Sequence, residues 1–287
     1  EATRRPFDVP GFLYAASSLA AILYGFNVAS HEGGDWTQAI LCVIAGAVLA
    51  YLGIRHALRV PSPLIELSVR KVHTFAVAVL WGGSLTRITV GATPFLLPLL
   101  FQIGFGMTPF ASGMLVLAYA AGNLLMKVVT TPTLRYFGFR NILVVCSVLT
   151  GLTVGGCALL TADTPLFITL PLLFAAGLNR SMQFTALNTL AFADVAPEQR
   201  ASATTLMSMT TQASFGGGVA VAALLINLSV FVHGSLMPGL FDLRAALVMV
   251  GLIGAAGLIW FYTLAPDAGR EVSGHSRSAA AKPRSAE

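Results

Sequence analysis

The sequence has 287 residues, of which 56% are hydrophobic and only 10% are charged, and its net charge is +5 at pH 7. An average soluble domain carries about 25% charged residues. The composition therefore excludes a disordered chain and leaves too few charges to cover a soluble globule. Because the basic residues fall between apolar blocks, they indicate membrane topology and contact with anionic headgroups, and not nucleic-acid binding.

Eight apolar stretches are long enough to cross a bilayer, since a spanning helix needs about 20 apolar residues. The breaks between them carry the Gly, Pro and charged residues that are typical of turns. The sequence predicts an all-α, polytopic membrane protein. Its predicted spans are 11–30, 36–55, 74–101, 110–132, 141–161, 166–191, 203–232 and 241–264.

The spans divide into a pair and a block of six, separated by a long polar break. Six-helix blocks made of two three-helix units are how one large class of transporters builds each half. Beyond the last span the composition shifts to Ser, Ala, Lys, Arg and Gly, which predicts disorder. The predicted divisions are a lead-in (1–10), a two-helix hairpin (11–55), a linker (56–73), a six-helix block (74–264) and a disordered tail (265–287).

The basic residues predict the orientation. With eight spans both termini lie on one side, and that side receives fourteen of the 17 Lys and Arg residues, whereas the opposite loops hold only Arg244. Cytoplasmic loops are enriched in Lys and Arg, so both termini are predicted to be cytoplasmic. Position 1 is Glu, and no signal-peptide pattern follows it, which leads us to expect the later part of a longer protein.

The two remaining basic residues, Arg87 and Arg180, fall near the middle of predicted spans. An Arg at the bilayer centre costs about 2.5–3.5 kcal/mol on insertion scales and normally has a partner. None of the 12 acidic residues lies at a similar depth. Each Arg therefore either bonds backbone carbonyls in a packed core, or meets water, an anionic ligand or carboxylates on another part of the protein. With only half of a cavity present, we expect both to be exposed.

Polar and aromatic neighbours favour a pathway near these arginines. Arg180, Gln183 and Phe184 share one helix face by the i, i+3, i+4 rule. Asn123 and Gln212 are also close to mid-depth in their spans. Amides at this depth either join helices through hydrogen bonds or contact a ligand.

Proline and glycine placement is compatible with moving helices. Pro94 and Pro98 remove backbone donors from the third span and permit kinks. The run Gly216, Gly217 and Gly218 in the seventh span allows backbones to approach closely. Simple tight packing is the alternative interpretation of both features.

Several chemistries find no support in the sequence. A Gly-x4-Gly-Lys-Ser/Thr motif and a His-Glu-x-x-His motif are both absent. The three cysteines lie inside apolar runs with no metal-site spacing. The sequence therefore indicates neither an ATP-driven motor nor an enzyme, and no cofactor or metal.

Five stretches carry a family resemblance. They are Phe95–Gln102 (FLLPLLFQ), Met107–Gly113 (MTPFASG), Thr131–Arg140 (TPTLRYFGFR), Val195–Ala203 (VAPEQRASA) and Gln212–Ala220 (QASFGGGVA). Taken together, in this order and at this spacing, the five stretches resemble the 14-helix drug:proton antiporter family of the major facilitator superfamily, and the similarity covers about residues 11–264.

The resemblance implies an architecture of six helices, two inserted linker helices and six more, of which this chain matches the last eight. Residues 11–55 would be the insert and residues 74–264 the second half. The missing partner would be the N-terminal six-helix half, which carries the family's membrane carboxylates. Proton coupling follows from the resemblance alone.

One loop departs from the family pattern. The family commonly has Asp in an Asp-Arg-x-Gly-x-Arg run, whereas Leu134 precedes Arg135, Gly138 and Arg140 here. A charge relay through this loop is therefore not supported, and we expect Arg135 and Arg140 only to fix the orientation of the helices in the membrane.

The sequence as a whole predicts the C-terminal part of a secondary transporter of the inner membrane that exports drugs or other small organic molecules by proton-coupled alternating access. Arg87 and Arg180 would line its cavity or pair with carboxylates of the other half. The alternatives are a transporter of organic anions that binds substrate through these arginines, and a non-transporting membrane scaffold.

Overall fold

The computed structural model describes residues 8–30, 36–60, 67–235 and 237–270. Within these residues every regular element is helical, which confirms the predicted all-α class. The eight long helices are α1 (Val9–Ser30), α2 (Trp36–Ala57), α3 (His73–Gly104), α4 (Pro109–Phe137), α5 (Phe139–Gly156), α6 (Leu166–Leu190), α7 (Arg200–His233) and α8 (Leu240–Phe261).

Seven of these helices are long and apolar enough to cross a membrane. The exception, α6, has 25 residues and is long enough, but its second half contains Asn179, Arg180 and Gln183. Three strongly polar side chains lower the mean hydropathy of a span without shortening it. The same residues that weaken this helix as a spanning segment therefore concentrate polar chemistry inside the bundle.

Most predicted boundaries agree with the structure, but α4 runs beyond its predicted end at residue 132. Pro132 lies inside the helix, which continues to Phe137. Gly138 then ends it with a φ of 75°, and the Gly138 N–H donates to the Leu134 carbonyl. A positive φ is accessible to glycine without a steric cost, so Gly138 allows α5 to follow α4 at once.

The hairpin lies at the edge of the molecule and α3 lies at its centre. Only 11% of the apolar window in each of α1 and α2 is buried, against 67% in α3. Helices α1 and α2 pack on each other, and α1 also packs on α7. Inside the six-helix block, α3 packs against α7 and α8, α4 against α6, and α5 against α6 and α8.

Two hydrophobic clusters make up the core of the block. The first, which we call the Phe75 cluster, includes Phe75, Leu143 and Leu190; the second, the Phe101 cluster, includes Phe101, Leu173 and Leu247. Each cluster draws residues from α3, α5, α6 and α8. The segments of α3, α5 and α6 between the clusters carry buried polar residues.

Helix α3 is broken ahead of its two prolines. Pro94 and Pro98 both lie inside a continuous α-helical stretch, Gly82–Leu99. The break lies earlier, where Ala76–Leu80 forms a π-helical turn and Trp81 departs from helical geometry with φ −99° and ψ −99°. Single π-turns mark places where a helix accommodates an irregularity. A second π-turn, Leu100–Gly104, follows Pro98 and ends the helix.

The start of the predicted tail is folded. Residues 265–270 form turns, and Ala268 packs against the Phe75 cluster. Residues 1–7, 61–66 and 271–287, which include most of the predicted lead-in and tail, lie outside the described residues. The division into hairpin, linker, block and tail otherwise stays a prediction.

Candidate functional site

A buried polar layer lies between the two hydrophobic clusters. We define it by six residues on three helices: Thr86 and Thr89 of α3, Ser147 and Thr150 of α5, and Asn179 and Gln183 of α6. All six are buried. Buried polar groups are stable when hydrogen-bonded, so the partners of each decide what the layer does.

Gln183 is at the centre of this polar layer. Its amide nitrogen donates to the Thr86 hydroxyl at 3.2 Å and to the Ser147 hydroxyl at 3.1 Å, and its carbonyl oxygen accepts from Thr150 at 3.0 Å. One side chain of α6 therefore joins α3 to α5. Removing it would take one hydrogen bond from each of these buried hydroxyls, which would keep only their other partners, such as the Gly82 carbonyl for Thr86 and the Leu143 carbonyl for Ser147.

Asn179 extends the layer by one helical turn. Its amide nitrogen donates to the Cys146 carbonyl at 3.0 Å and to the Thr150 hydroxyl at 2.8 Å. A carbonyl oxygen can only accept, so the nitrogen of Asn179 must be the atom that faces Cys146. The Asn179 carbonyl oxygen, which has no partner among the described residues, therefore points to the other side.

Arg87 is held by its own helix and by α6. Its side chain is 0% exposed. The guanidinium donates to the Ala78 carbonyl at 2.9 Å and to the Asn188 side-chain oxygen at 3.3 Å. The expectation that Arg87 is exposed is therefore wrong. The π-turn leaves the Ala78 carbonyl available, and the guanidinium of Arg87, nine residues later in the chain, donates to it.

The break in α3 needs two further residues. The Ser84 hydroxyl donates to the Val79 carbonyl at 2.8 Å, which satisfies a second carbonyl of the π-turn. Gly83 leaves room for the Ala78 carbonyl, because a Cβ atom at this position would collide with that oxygen. In a span, backbone groups freed by a break must find partners inside the protein, and here Ser84 and Arg87 supply them.

Arg180 has a different environment. It is half-buried, and its guanidinium lies over the Tyr119 ring at 5.6 Å from the centroid. Among the described residues it forms no ion pair. Phe184, one turn further along α6, is also half-buried and stacks on Phe215 of α7 with ring centroids 6.1 Å apart. Arg180 and Phe184 thus combine a charge and an aromatic surface on one face of α6.

The other predicted amides lie apart from the polar layer. Asn123 is half-buried on α4, where its backbone lies close to Gly177 of α6. Gln212 is exposed on α7. Neither residue lines the small cavity that lies beside Asn179 between α3, α4, α5 and α6.

The glycine run of α7 contacts two different helices. A Cβ atom on Gly218 would collide with the Ile88 carbonyl of α3, whereas Gly216 and Gly217 face Leu23 and Phe26 of α1. Close backbone approach is therefore a property of Gly218, and the other two glycines receive side chains of the hairpin.

The predicted loop between α4 and α5 is a single residue, Gly138. Arg135 is exposed in the last turn of α4. Arg140 lies in the first turn of α5, with its guanidinium 4.7 Å from the Tyr262 ring centroid beyond α8. A cation–π contact of this kind contributes about 0.5–1 kcal/mol at exposed sites.

Sequence reasoning missed most of the polar layer. It identified Gln183 but not Asn179, which is four residues before it on the same helix face, nor Asn188, which binds Arg87. A signal was present in the spacing of small hydroxyl residues, because Thr86, Thr89 and Thr93 lie on one face of α3, and Ser147 and Thr150 lie on one face of α5.

Fold and site together define a polytopic helical membrane protein whose six-helix block carries a polar layer and a half-buried arginine, Arg180, near mid-helix depth. The family model of the Major Facilitator Superfamily matches residues 9–221 and residues 79–285. The chain belongs to this family, which places it among membrane transporters and not among enzymes.

Curated relatives that carry the name "Putative multidrug resistance protein MdtD" agree with this membership. The protein of Pectobacterium carotovorum subsp. carotovorum is 31% identical over 77% of this chain and 47% of its own length. That of Pectobacterium atrosepticum is 30% identical over 91% and 56%, and that of Klebsiella pneumoniae is 33% identical over 82% and 49%. The chain spans about half the length of these relatives.

Proposed function

We propose that the chain is the C-terminal part of a secondary transporter that exports drugs or other small organic molecules in exchange for protons. Family membership and the names of the relatives support export. The observation that carries the proposal is the environment of Arg180, which lies near mid-helix depth, is half-buried over an aromatic ring, and forms no ion pair among the described residues.

The transport cavity, in this proposal, lies between the six-helix block and an N-terminal six-helix half. Arg180 and Phe184 form part of its wall, with Tyr119 and Phe215 behind them. When a carboxyl group of the other half loses its proton it becomes negatively charged, and the positive guanidinium of Arg180 then attracts it. Proton release would thereby bias the equilibrium between the two orientations of the cavity.

The proposed location is the inner membrane, with both ends of the chain in the cytoplasm. This orientation follows from the Lys and Arg distribution. The partner that completes the cavity is the N-terminal half, and the proton is the coupling ion.

The test is transport by the protein expressed from its complete reading frame in proteoliposomes with an imposed pH gradient. We expect Arg180→Gln to lower proton-driven substrate flux about tenfold or more, as the loss of a charged contact of about 1.5–3 kcal/mol implies. Arg55→Gln is a matched control, since Arg55 also lies over a tyrosine ring, at 5.9 Å, but on the hairpin. Equal flux in the two variants would contradict the proposed role of Arg180.

The same residue supports a second function, export of organic anions that bind Arg180 directly. Two fluorescent substrates of similar size and opposite charge distinguish the two functions. Direct binding predicts that Arg180→Gln raises the KM for the anion, whereas a coupling role predicts reduced flux and altered pH dependence for the cation. Absence of flux for every substrate of either charge would favour the scaffold.

A further inference from the structure

A small polar cavity lies beside Asn179, inside the six-helix block. Its volume, counted as the space open to the centre of a water molecule, is about 10 Å³. A cavity of this size holds about one water molecule when two to four polar groups face it. Asn179, Arg180, Gln183 and Tyr119 line it together with threonines of α3 and α5.

The threonines present acceptors to this cavity. The hydroxyls of Thr86, Thr93 and Thr153 each donate to the carbonyl four residues earlier, at 3.1 Å, 2.7 Å and 2.7 Å. The Thr89 hydroxyl donates to the carbonyl of Leu85 or Val250. A hydroxyl has a single hydrogen, so these oxygens have only lone pairs left for the cavity.

Asn179 adds the acceptor that most needs a partner. The residue is 7% exposed, its nitrogen is fully used, and its carbonyl oxygen has no partner among the described residues. A buried acceptor without a hydrogen bond costs about 1–3 kcal/mol. The cavity therefore requires a donor.

We propose that one water molecule binds in this cavity and donates to the Asn179 carbonyl oxygen and to a threonine oxygen. It accepts in turn from Tyr119 or Arg180, so that the polar layer connects to the half-buried face of α6. A sodium ion would also satisfy oxygen acceptors, but the guanidinium of Arg180 lines the same cavity and repels a cation.

The test is X-ray radiolytic hydroxyl labelling of the complete, membrane-reconstituted protein, read by mass spectrometry. Radicals generated from a bound internal water modify the side chains beside it. Tyr119 is 5% exposed and Phe101 is 0% exposed in the same cluster. We expect Tyr119 to be labelled severalfold faster than Phe101. Labelling of Tyr119 as slow as that of Phe101 would overturn the proposal.

Two variants show whether the water depends on the acceptors. Asn179→Leu removes the unpartnered oxygen at similar side-chain size, so the water loses the acceptor that most needs it and Tyr119 labelling should decrease severalfold. Thr153→Val should reduce it in part. Its matched control is Thr130→Val, because Thr130 is also buried and its hydroxyl also donates to a carbonyl four residues earlier at 2.7 Å.

Two outcomes of these comparisons would contradict the assignment. If Asn179→Leu and Thr153→Val both leave Tyr119 labelling unchanged, bulk water reaches the ring from the Arg180 side. If replacing potassium by sodium in the buffer suppresses labelling of Tyr119, the cavity binds a cation. Equal labelling in both buffers, with a decrease in the two cavity variants only, supports a bound water.

Discussion

The regions around Arg87 and Arg180 look alike in the sequence and differ in the structure. Each arginine lies well inside a long helix, and neither forms an ion pair among the described residues. Arg87 is fully enclosed and bonded to the Ala78 carbonyl and to Asn188. Arg180 is half-buried over the Tyr119 ring.

The difference shows that depth alone does not assign a role to an intramembrane charge. Two guanidinium nitrogens of Arg87 find partners locally, because a break in its own helix supplies the Ala78 carbonyl and α6 supplies Asn188, whereas its Nε has no partner among the described residues. Arg180 has no such break beside it and keeps part of its surface open. Arg87 is therefore structural in this comparison, and Arg180 is the candidate for contact with substrate or with another half.

The largest effect we predict is from Gly83→Ala. A Cβ atom at residue 83 would overlap the Ala78 carbonyl and displace it from Arg87. Overpacking against backbone costs about 1–3 kcal/mol or more, and here it also breaks a charged hydrogen bond. We expect a large fall in the apparent Tm of the purified protein, measured by thermal denaturation in detergent.

The control for this variant is Gly113→Ala. Gly113 is also helical, but no atom lies within 4 Å of the Cβ position. Alanine is favoured over glycine inside helices by about 1 kcal/mol, so this variant should be neutral or more stable. Similar apparent Tm values for the two variants would show that the break in α3 does not need Gly83.

The second prediction compares the arginines directly. Arg87→Gln removes the donor of a buried carbonyl and should lower stability by about 3 kcal/mol. Arg180→Gln removes a contact with a ring and should lower stability by about 1 kcal/mol or less. Parallel thermal denaturation of both variants measures the difference. If Arg180→Gln is the less stable protein, the comparison between the two regions is reversed.

The sequence predicts the helices well because apolar length is a property of the chain itself. Spans 36–55 and 166–191 agree closely with Trp36–Ala57 and Leu166–Leu190. The predicted end of α4 is too early because Pro132 does not end the helix, which continues to Phe137 and stops at Gly138. Helix ends depend on tertiary contacts, which composition does not contain.

The break in α3 could not be located by the same reasoning. Pro94 and Pro98 show where backbone donors are missing from α3, but the first π-turn lies at Ala76–Leu80, well before them. It is stabilised by Arg87, whose partner carbonyl is chosen by the folded backbone. For the candidate site, the sequence found Arg180, Gln183 and Phe184 on one helix. It missed Asn179, because an amide inside an apolar helix gives no sign of which helix it will face.

The third prediction tests the polar layer against an amide outside it. Gln183→Leu leaves the hydroxyls of Thr86 and Ser147 without their donor and should cost about 2 kcal/mol. Gln212→Leu changes the same residue type at an exposed position on α7 and should be nearly neutral. Chemical denaturation of both variants provides the measurement. If Gln183→Leu leaves the free energy of unfolding unchanged, the bonds of Thr86 and Ser147 to carbonyls of their own helices are sufficient to satisfy them.

The smallest effect we predict is from Ser84→Ala, which tests whether the region around Arg87 has one donor or two. The Ser84 hydroxyl donates to the Val79 carbonyl beside the carbonyl that Arg87 binds. Loss of a neutral hydrogen bond at a half-buried site should cost about 1 kcal/mol. In the double variant with Arg87→Gln, the losses should exceed the sum of the single effects, because each donor limits how far the π-turn can rearrange. Strict additivity of the apparent Tm shifts would instead mean that Ser84 and Arg87 stabilise separate parts of the break, and that Arg87 alone determines the geometry around Ala78.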